Sequence, residues 1–203
     1  MMAPKILIID HNDSFTYNLV QLLKEAGAGA TWVCPYAEIN EVALDQVDGI
    51  LFSPGPGLPA DYPRSIDLIH RVKNDMPILG ICMGLQLIVK CFDGKLRNLK
   101  KVKHGQQVQL VKTAESSLFS EIDFPATVGL YHSWAMDETY KVANLQVTAT
   151  LIDGTIMAVQ HQQYPIQAVQ FHPESFMTTH GDVLMRNWLK LVEKRSLQFV
   201  LDE

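Results

Sequence analysis

Two short segments of this chain carry side chains that could together perform nucleophilic chemistry on an acyl group. The first is G-x-C-x-G over residues 80–84, with Cys82 at its centre, after an apolar run over 77–81 that predicts a buried strand. Glycines on both sides of a reactive residue permit a sharp strand-to-helix turn, which lifts the side chain clear of the sheet. Because a helix N-terminus favours thiolate over thiol, the pattern predicts Cys82 as a nucleophile.

The second segment, Q-F-H-P-E over residues 170–174, supplies a base and a carboxylate. Pro173 favours an extended backbone, in which His172 and Glu174 point in the same direction. Taken singly, a cysteine at a strand end is more often a buried apolar residue, and His-Pro-Glu is more often a loop. Nucleophile, base and orienting group are the parts of an acyl-transfer site, so we predict Cys82, His172 and Glu174 as a catalytic triad.

A third motif, S-P-G-P-G over residues 53–57, follows another predicted strand. Ligands of open parallel sheets bind outside the carboxyl ends of the strands, so this loop and Cys82 should share a crevice. The N–H groups of Gly55 and Gly57 could point at an oxyanion, with the N–H of Met83 as a further donor. The alternative is an ordinary rigid turn. The loop lacks the Lys-Ser/Thr of a phosphate loop, which argues against phosphate binding.

Composition and charge limit the classes of protein to which the chain can belong. A length of 203 residues, 47% of them hydrophobic, fits a single domain over residues 1–203. The net charge of -5 argues against a nucleic-acid partner. Three cysteines without a C-x-x-C spacing argue against a disulfide framework or a zinc site and favour the cytoplasm. We expect neither a signal peptide nor a membrane span, since no run of about 18 apolar residues occurs.

Hydrophobic periodicity predicts an alternating β-α pattern in the first half of the chain. Strands are expected over 5–9, 30–34, 49–52 and 77–81, and helices over 15–26, 38–47, 62–74 and directly after Cys82. Ser14 could cap the first of these helices. Such a pattern is typical of a parallel sheet covered on both faces.

The second half of the chain is richer in strands. They are expected over 107–112, 127–131, 145–151, 155–160 and 166–171, before an amphipathic helix over 182–193. Turn signals between these strands suggest an antiparallel extension of the sheet. The predicted fold class is α/β: an open, mostly parallel sheet flanked by helices, with additional antiparallel strands in the second half.

Taken together, the motifs resemble the class I, triad-type glutamine amidotransferases. The resemblance covers nearly the whole chain and is closest to the glutaminase subunits of anthranilate synthase and aminodeoxychorismate synthase. It rests on D-H-N-D-S-F-T-Y-N-L at 10–19, S-P-G-P-G at 53–57, G-I-C-M-G-L-Q at 80–86, H-G at 104–105, Y-H-S-W at 131–134 and Q-F-H-P-E-S at 170–175. The first and fifth strings narrow the match to the chorismate-using branch. The triad strings alone would equally fit carbamoyl phosphate, GMP or CTP synthase glutaminases.

The resemblance implies that the predicted triad hydrolyses L-glutamine without a metal or organic cofactor. It implies that ammonia then passes to a large chorismate-binding synthase subunit, in tryptophan or folate biosynthesis. It also implies glutamine contacts from Gln86 and from the backbone of Ser133 and Trp134. The alternatives are a polar helix-surface role for Gln86 and a core or interface role for Trp134.

Other interpretations of the same residues stay open. The chain could be a stand-alone hydrolase of γ-glutamyl or peptide bonds, a glutaminase subunit of another amidotransferase, or a catalytically silent regulatory subunit. His104 and His132 could serve as bases, but neither has a carboxylate two residues further on. The basic stretch over 100–104 could meet a partner or could be a solvated surface.

Three segments of the chain depart from the usual family pattern. His11-Asn12 stands where the family more often has Asn followed by an aromatic residue, and residues 92–94 read F-D-G where F-G-G is commoner. Met83 replaces a commoner leucine, which leaves a backbone donor unchanged. None of the three removes a predicted catalytic group.

Overall fold

The computed structural model describes residues 3–202, with the backbone alone for residues 101 and 197–202. Its strands are β1 Lys5–Asp10, β2 Ala30–Pro35, β3 Gly49–Phe52, β4 Ile78–Ile81, β5 Leu96–Lys112, β6 Ala126–Met136, β7 Leu145–Thr150, β8 Ile156–His161 and β9 Ile166–Val169. Its α-helices are α1 Thr16–Ala26, α2 Pro63–Val72, α3 Met83–Cys91 and α4 Gly181–Asp202. The strands form one nine-stranded sheet in the order β2-β1-β3-β4-β9-β8-β7-β5-β6.

The first half of the sheet is parallel, and its inner strands are apolar throughout. β1 pairs with β2 and β3, and β3 pairs with β4, all in parallel. Every residue of β3 and β4 is buried, as expected for strands covered on both faces. The predicted α/β class with a mostly parallel sheet flanked by helices is confirmed.

The strands of the second half form the predicted antiparallel extension, with one exception. β5 pairs antiparallel with both β6 and β7, and β7 with β8. The last strand, β9, lies antiparallel to β8 but parallel to β4, in the middle of the sheet. All four of its residues are buried, which suits a central position. This placement brings the segment after β9 beside the end of β4.

Two local predictions were wrong. Residues 38–47 do not form an α-helix. Most of them lie in two 3-10 turns, Tyr36–Glu41 and Leu44–Gln46, and the extended backbone at residues 42–43 separates the two turns. Ser14 does not cap α1, whose N-cap is Phe15. The carboxylate of Asp13 instead accepts a hydrogen bond from the Phe15 N–H at 2.8 Å, so a different side chain pairs with a backbone N–H at the start of the helix.

The hydrophobic core lies on both faces of the sheet. One face is covered by α1 and α4, with Trp188 of α4 fully buried against the strands. The other is covered by α2 and α3, which pack against each other. Among residues 3–202, no helix is long and apolar enough to cross a membrane.

Candidate active site

Cys82 sits at the turn between β4 and α3, as the G-x-C-x-G pattern predicts. Its backbone has φ 52° and ψ −98°, a strained conformation for a residue with a side chain. The Cys82 N–H donates to the carbonyl of Val169 at 2.8 Å, which fixes the turn to the end of β9. A Cβ at Gly80 would lie 2.5 Å from the Gly84 carbonyl carbon, and one at Gly84 would lie 2.4 Å from the Phe52 oxygen. Both glycines are therefore required by close packing at this turn.

His172 and Glu174 follow β9 and form a buried pair. The ring Nδ1 lies 2.7 Å from Glu174 Oε1, and the exposed fractions of the two side chains are 3% and 0%. The His172 N–H donates to the Gly129 carbonyl at 3.1 Å, and the Thr178 hydroxyl donates to the His172 carbonyl at 2.6 Å. The backbone of His172 is thus held on both sides, and Glu174 orients its ring.

The electrostatics of this pair favour a protonated imidazole. Burial lowers the pKa of His172, but the attraction of a Cys82 thiolate and the bond to the Glu174 carboxylate outweigh burial and raise that pKa well above its ordinary value. Among the described residues, His172 Nε2 has no nitrogen or oxygen partner, and Cys82 is the group that interacts with the ring besides Glu174. The arrangement can therefore hold a thiolate beside an imidazolium, with Nε2 free to exchange a proton with a bound substrate.

Gln170 is a part of the site to which the sequence analysis assigned no role. It is fully buried, and its amide nitrogen lies 3.5 Å from Cys82 Sγ. Its amide oxygen is 3.5 Å from Gln86 Nε2, which also donates to the Trp134 carbonyl at 3.1 Å. The one available signal was a glutamine between apolar residues at a strand end, two residues before His172.

These contacts also locate the predicted glutamine-contacting residues. Gln86 lies on α3 with an exposed fraction of 4%, so the helix-surface interpretation was wrong. Trp134 is partly buried in β6 and offers its backbone carbonyl to the side chain of Gln86. Ser133 precedes it in the same strand and is also partly buried.

The S-P-G-P-G loop over residues 53–57 leaves the carboxyl end of β3, next to β4 in the sheet. Among the described residues, no group accepts a hydrogen bond from the N–H of Gly55 or of Gly57. Gly57 has φ +74°, a conformation that glycine adopts without strain. Met83 is the first residue of α3, so its N–H lacks an intrahelical acceptor. All three backbone donors remain available for an anion.

Aromatic rings surround the imidazole of His172. Phe15, next to α1, lies 5.6 Å from it and Tyr131 of β6 lies 4.9 Å from it, both edge-on. Tyr131 also exchanges a hydrogen bond with Ser175 at 3.0 Å. Phe15 belongs to the string at 10–19 and Tyr131 to the string at 131–134, so the structure gives both motifs a place beside the predicted base.

The two alternative histidines lack the features of His172. Burial lowers the pKa of His132 to about 4, and its Nδ1 lies 2.9 Å from the Trp134 carbonyl, so its ring is neutral at neutral pH. His104 is exposed and packs edge-on against Tyr131 at 5.3 Å. Within the described ranges, neither bonds to a carboxylate, and no group of three His, Cys, Asp or Glu side chains could hold a metal ion.

Comparisons with known proteins identify the family to which this chain belongs. The sequence model of the family "Glutamine amidotransferase class-I" matches residues 7–192, and the chain belongs to that family. It is 39% identical to anthranilate synthase component 2 of Lactococcus lactis over 190 residues, which cover 93% of this chain and 96% of the relative. It is 40% identical to the chloroplastic anthranilate synthase beta subunit 1 of Arabidopsis thaliana, covering 94% of this chain and 71% of the relative.

A solved structure supports the fold independently. The crystal structure of a Thermoplasma acidophilum protein, described as part of a GMP synthase, superimposes with a TM-score of 0.83. The match covers 100% of this chain and 99% of the other, at 24% sequence identity. At that identity the likeness concerns the fold alone.

Proposed function

We propose that this chain is the glutaminase subunit of anthranilate synthase, folded as one glutamine amidotransferase domain over residues 1–203. The observation that carries the proposal is the Cys82 turn beside the buried His172–Glu174 pair, in which Cys82 and Glu174 both raise the pKa of His172. The names of the relatives from Lactococcus lactis and Arabidopsis thaliana favour anthranilate as the product of the complex. The three cysteines are free, which suits a reducing cytoplasm.

The first half of the reaction acylates Cys82. The thiolate sulfur attacks the side-chain amide carbon of L-glutamine, and the carbonyl oxygen becomes an oxyanion. The N–H groups of Gly57 and Met83 hold that oxyanion, with Gly55 in the same loop. His172 gives its Nε2 proton to the amide nitrogen as the C–N bond breaks, and ammonia leaves. The product on the enzyme is a γ-glutamyl thioester.

The second half of the reaction regenerates the thiolate. His172, now neutral at Nε2, removes a proton from a water molecule that attacks the thioester carbon. Collapse of the second oxyanion expels the Cys82 thiolate and releases glutamate. Glu174 keeps its carboxylate throughout and stabilises the imidazolium each time it forms. In both halves the proton is carried by Nε2 of His172, since Nδ1 is bonded to Glu174.

Recognition of glutamine is assigned to the elements around the thiolate. We infer that Gln86 and the backbone of Ser133 and Trp134 contact the amino-acid end of the substrate. Gln86 is supported for this role because it is bonded to the Trp134 carbonyl, so α3 and β6 are held together at the site. Gln170, through its contact with the sulfur, would keep the thiolate aimed at the amide carbon.

The acceptor of ammonia is proposed to be a large chorismate-binding subunit. Such a complex would make anthranilate by amination and lyase chemistry on chorismate. A partner that makes aminodeoxychorismate, for folate biosynthesis, would use the same glutaminase. A stand-alone Cys-His-Glu hydrolase would need no partner at all.

The test assembles this chain with a large subunit from the same source and supplies chorismate. We expect glutamine-dependent formation of anthranilate. Cys82→Ser should abolish that activity and leave synthesis from added ammonium intact, because the second reaction occurs on the partner. Formation of a 4-aminobenzoate precursor instead would show that the complex belongs to folate biosynthesis. Full glutamine-dependent activity of Cys82→Ser would contradict the proposed nucleophile.

A further inference from the structure

We propose that His11 is a positioning residue that sets the direction of the oxyanion-binding N–H groups in the loop over residues 53–57. The inference rests on the proposed function, since it concerns how that site is assembled. His11 lies after β1 and is fully buried beneath the loop. It is also one of the positions at which this sequence departs from the family pattern.

Three contacts join His11 to the first residue of the loop. Its backbone N–H donates to Ser53 Oγ at 2.9 Å, and Ser53 Oγ donates to the Pro54 carbonyl at 2.6 Å. The ring Nδ1 lies 3.2 Å from the Ser53 carbonyl oxygen and 3.3 Å from Ser53 Oγ. Because a carbonyl only accepts, Nδ1 must carry the proton for the first of these contacts.

The other ring nitrogen reaches a helix. His11 Nε2 lies 2.9 Å from the hydroxyl of Ser65, a fully buried residue of α2. Burial lowers the pKa of His11 to about 4, against smaller opposing effects from Ser53 and Asp10, so the ring is neutral at neutral pH. With the proton on Nδ1, Nε2 accepts from Ser65. One tautomer therefore satisfies both contacts and ties the loop to α2.

Close packing of the loop backbone against His11 fixes the position of Gly55. A Cβ at Gly55 would lie 2.5 Å from the Cβ of His11 and 2.9 Å from its carbonyl oxygen, so the loop backbone rests directly on His11. Tyr62 packs edge-on against the His11 ring at 4.7 Å and donates its hydroxyl to the Pro56 carbonyl at 2.9 Å. His11 below and Tyr62 beside the loop leave little freedom to the peptides that flank Gly55.

A shorter side chain could not make both ring contacts at once. Asparagine at position 11 could bond to Ser53 or reach toward Ser65, but it lacks the length to span both. His11→Asn introduces the residue that is commoner in the family, but in this chain it would leave the buried Ser65 hydroxyl without the His11 ring. It should therefore loosen the loop without removing any group that touches the substrate. Ser65→Ala breaks the same link from the other end.

The experiment compares His11→Asn, Ser65→Ala and the double variant in the complex with the large subunit. His70→Asn, on the exposed side of α2, is the matched control. We expect the glutamine-dependent kcat of His11→Asn to fall at least on the order of tenfold. Complete loss of one oxyanion donor typically lowers kcat a hundredfold or more, which is the upper end of the expected effect. The glutamine KM should change by less than about threefold, since an oxyanion donor acts only in the transition state. The double variant should equal His11→Asn, because both changes break one link.

A second readout separates positioning from general damage. Alkylation of Cys82 by iodoacetamide needs the thiolate but forms no oxyanion, so its rate should stay within about twofold of wild type in every variant. Parallel loss of alkylation, an increase in KM at constant kcat, or additive effects in the double variant would each overturn the inference. If the His11→Asn variant does not assemble with the large subunit, Ser65→Ala tests the inference by itself. An unchanged kcat in Ser65→Ala would then overturn the inference. If the wild-type complex shows no glutamine-dependent activity, both the proposed function and this inference are contradicted.

Discussion

The two cysteines away from the turn differ from Cys82 in their surroundings. Burial raises the pKa of the Cys34 thiol, and the carboxylates of Glu38 and Glu41 raise it further. Burial raises the pKa of Cys91 to about 11, although Lys73 partly opposes it. The imidazole of His70 lies 3.5 Å from Cys91 Sγ, but among the described residues no carboxylate is paired with that ring. Both thiols should therefore stay protonated at neutral pH, where a thiolate is the reactive species.

This contrast predicts selective labelling. A glutamine-mimicking electrophile should modify Cys82 and spare Cys34 and Cys91, as measured by peptide mass spectrometry at neutral pH. Excess glutamine should protect Cys82, and Cys82→Ser should remove the label altogether. Faster labelling of either other cysteine in the folded protein would be incompatible with the assignment.

The His172–Glu174 pair predicts a change in the pH profile. The thiolate and Glu174 hold the pKa of His172 well above its ordinary value, so the ion pair is lost only as pH rises through that value. Glu174→Gln removes one of the two negative charges and lowers the pKa of His172. The alkaline limb of kcat/KM for glutamine should therefore move to lower pH, by about one pH unit or more.

Loss of the ring should be more severe than loss of its orienting group. His172→Asn should lower kcat on the order of a hundredfold or more, because it removes the proton carrier. His104→Asn, at an exposed ring, is the matched control, and His132→Asn tests the other alternative base. If His172→Asn keeps wild-type turnover while either of the other two variants loses it, the base lies elsewhere.

At the scale of elements, the turn at Cys82 depends on how closely α3 approaches β3. A Cβ at Gly84 would lie 2.4 Å from the carbonyl oxygen of Phe52. Relief of this clash would require the backbone of α3 or of β3 to move. Gly84→Ala should push α3 away and displace Cys82, with at least a tenfold loss of glutaminase activity. Overpacking of this kind typically costs about 1–3 kcal/mol of folding stability.

A second glycine provides the control for that prediction. Gly154 has φ +83°, but a Cβ added there would meet nothing within 4 Å, so Gly154→Ala strains only its own turn. Gly154→Ala should lower the melting temperature slightly and leave activity unchanged. Equal activity of the Gly84 and Gly154 variants would show that the turn tolerates displacement of α3.

Elements with clear periodicity and clear boundaries were predictable, and those with mixed signals were not. β3, β4 and α2 are bounded by glycine or proline and carry continuous or helical apolar patterns, so their positions matched closely. The segment over 38–47 has helix-forming residues, but they form two 3-10 turns. β5 begins at Leu96, eleven residues before the predicted start, because its polar first part lacks alternating apolar residues.

Among the residues of the candidate site, the sequence points to those that a motif defines by their chemistry. Cys82, His172 and Glu174 stood out because nucleophile, base and carboxylate are recognisable types at recognisable spacings. Gln170 and His11 did not, because their roles follow from contacts with residues 88 and 42 positions away. No local pattern encodes such contacts; they arise when β9 joins β4 and β1 joins β3.

At the scale of the whole molecule, apolar groups are exposed near the predicted site. Tyr17 is 73% exposed and Phe176 is 89% exposed, and each lies two residues from a group around His172, namely Phe15 and Glu174. Exposed aromatic side chains are typical of surfaces that bind another protein. In the basic stretch, Lys103 is paired with Asp153 at 2.7 Å, so it is not a free cation for a partner. We therefore expect a partner to contact Tyr17 and Phe176.

These features lead to a prediction about partner activation. Ammonia released without an acceptor is wasted, and the N–H groups of Gly55 and Gly57 have no fixed acceptor among the described residues. Binding of the large subunit over Tyr17 and Phe176 should complete the oxyanion site by fixing the backbone at Gly57, which tolerates rotation and is not the residue that rests on His11. Titration of this chain with the large subunit should raise glutaminase activity at least on the order of tenfold, which is part of the hundredfold or more that one oxyanion donor contributes. Phe176→Ala should weaken that titration, whereas Trp32→Ala, on the edge strand β2, should not. If the isolated chain already hydrolyses glutamine at the rate of the complex, it is a stand-alone hydrolase and the proposed subunit role is wrong.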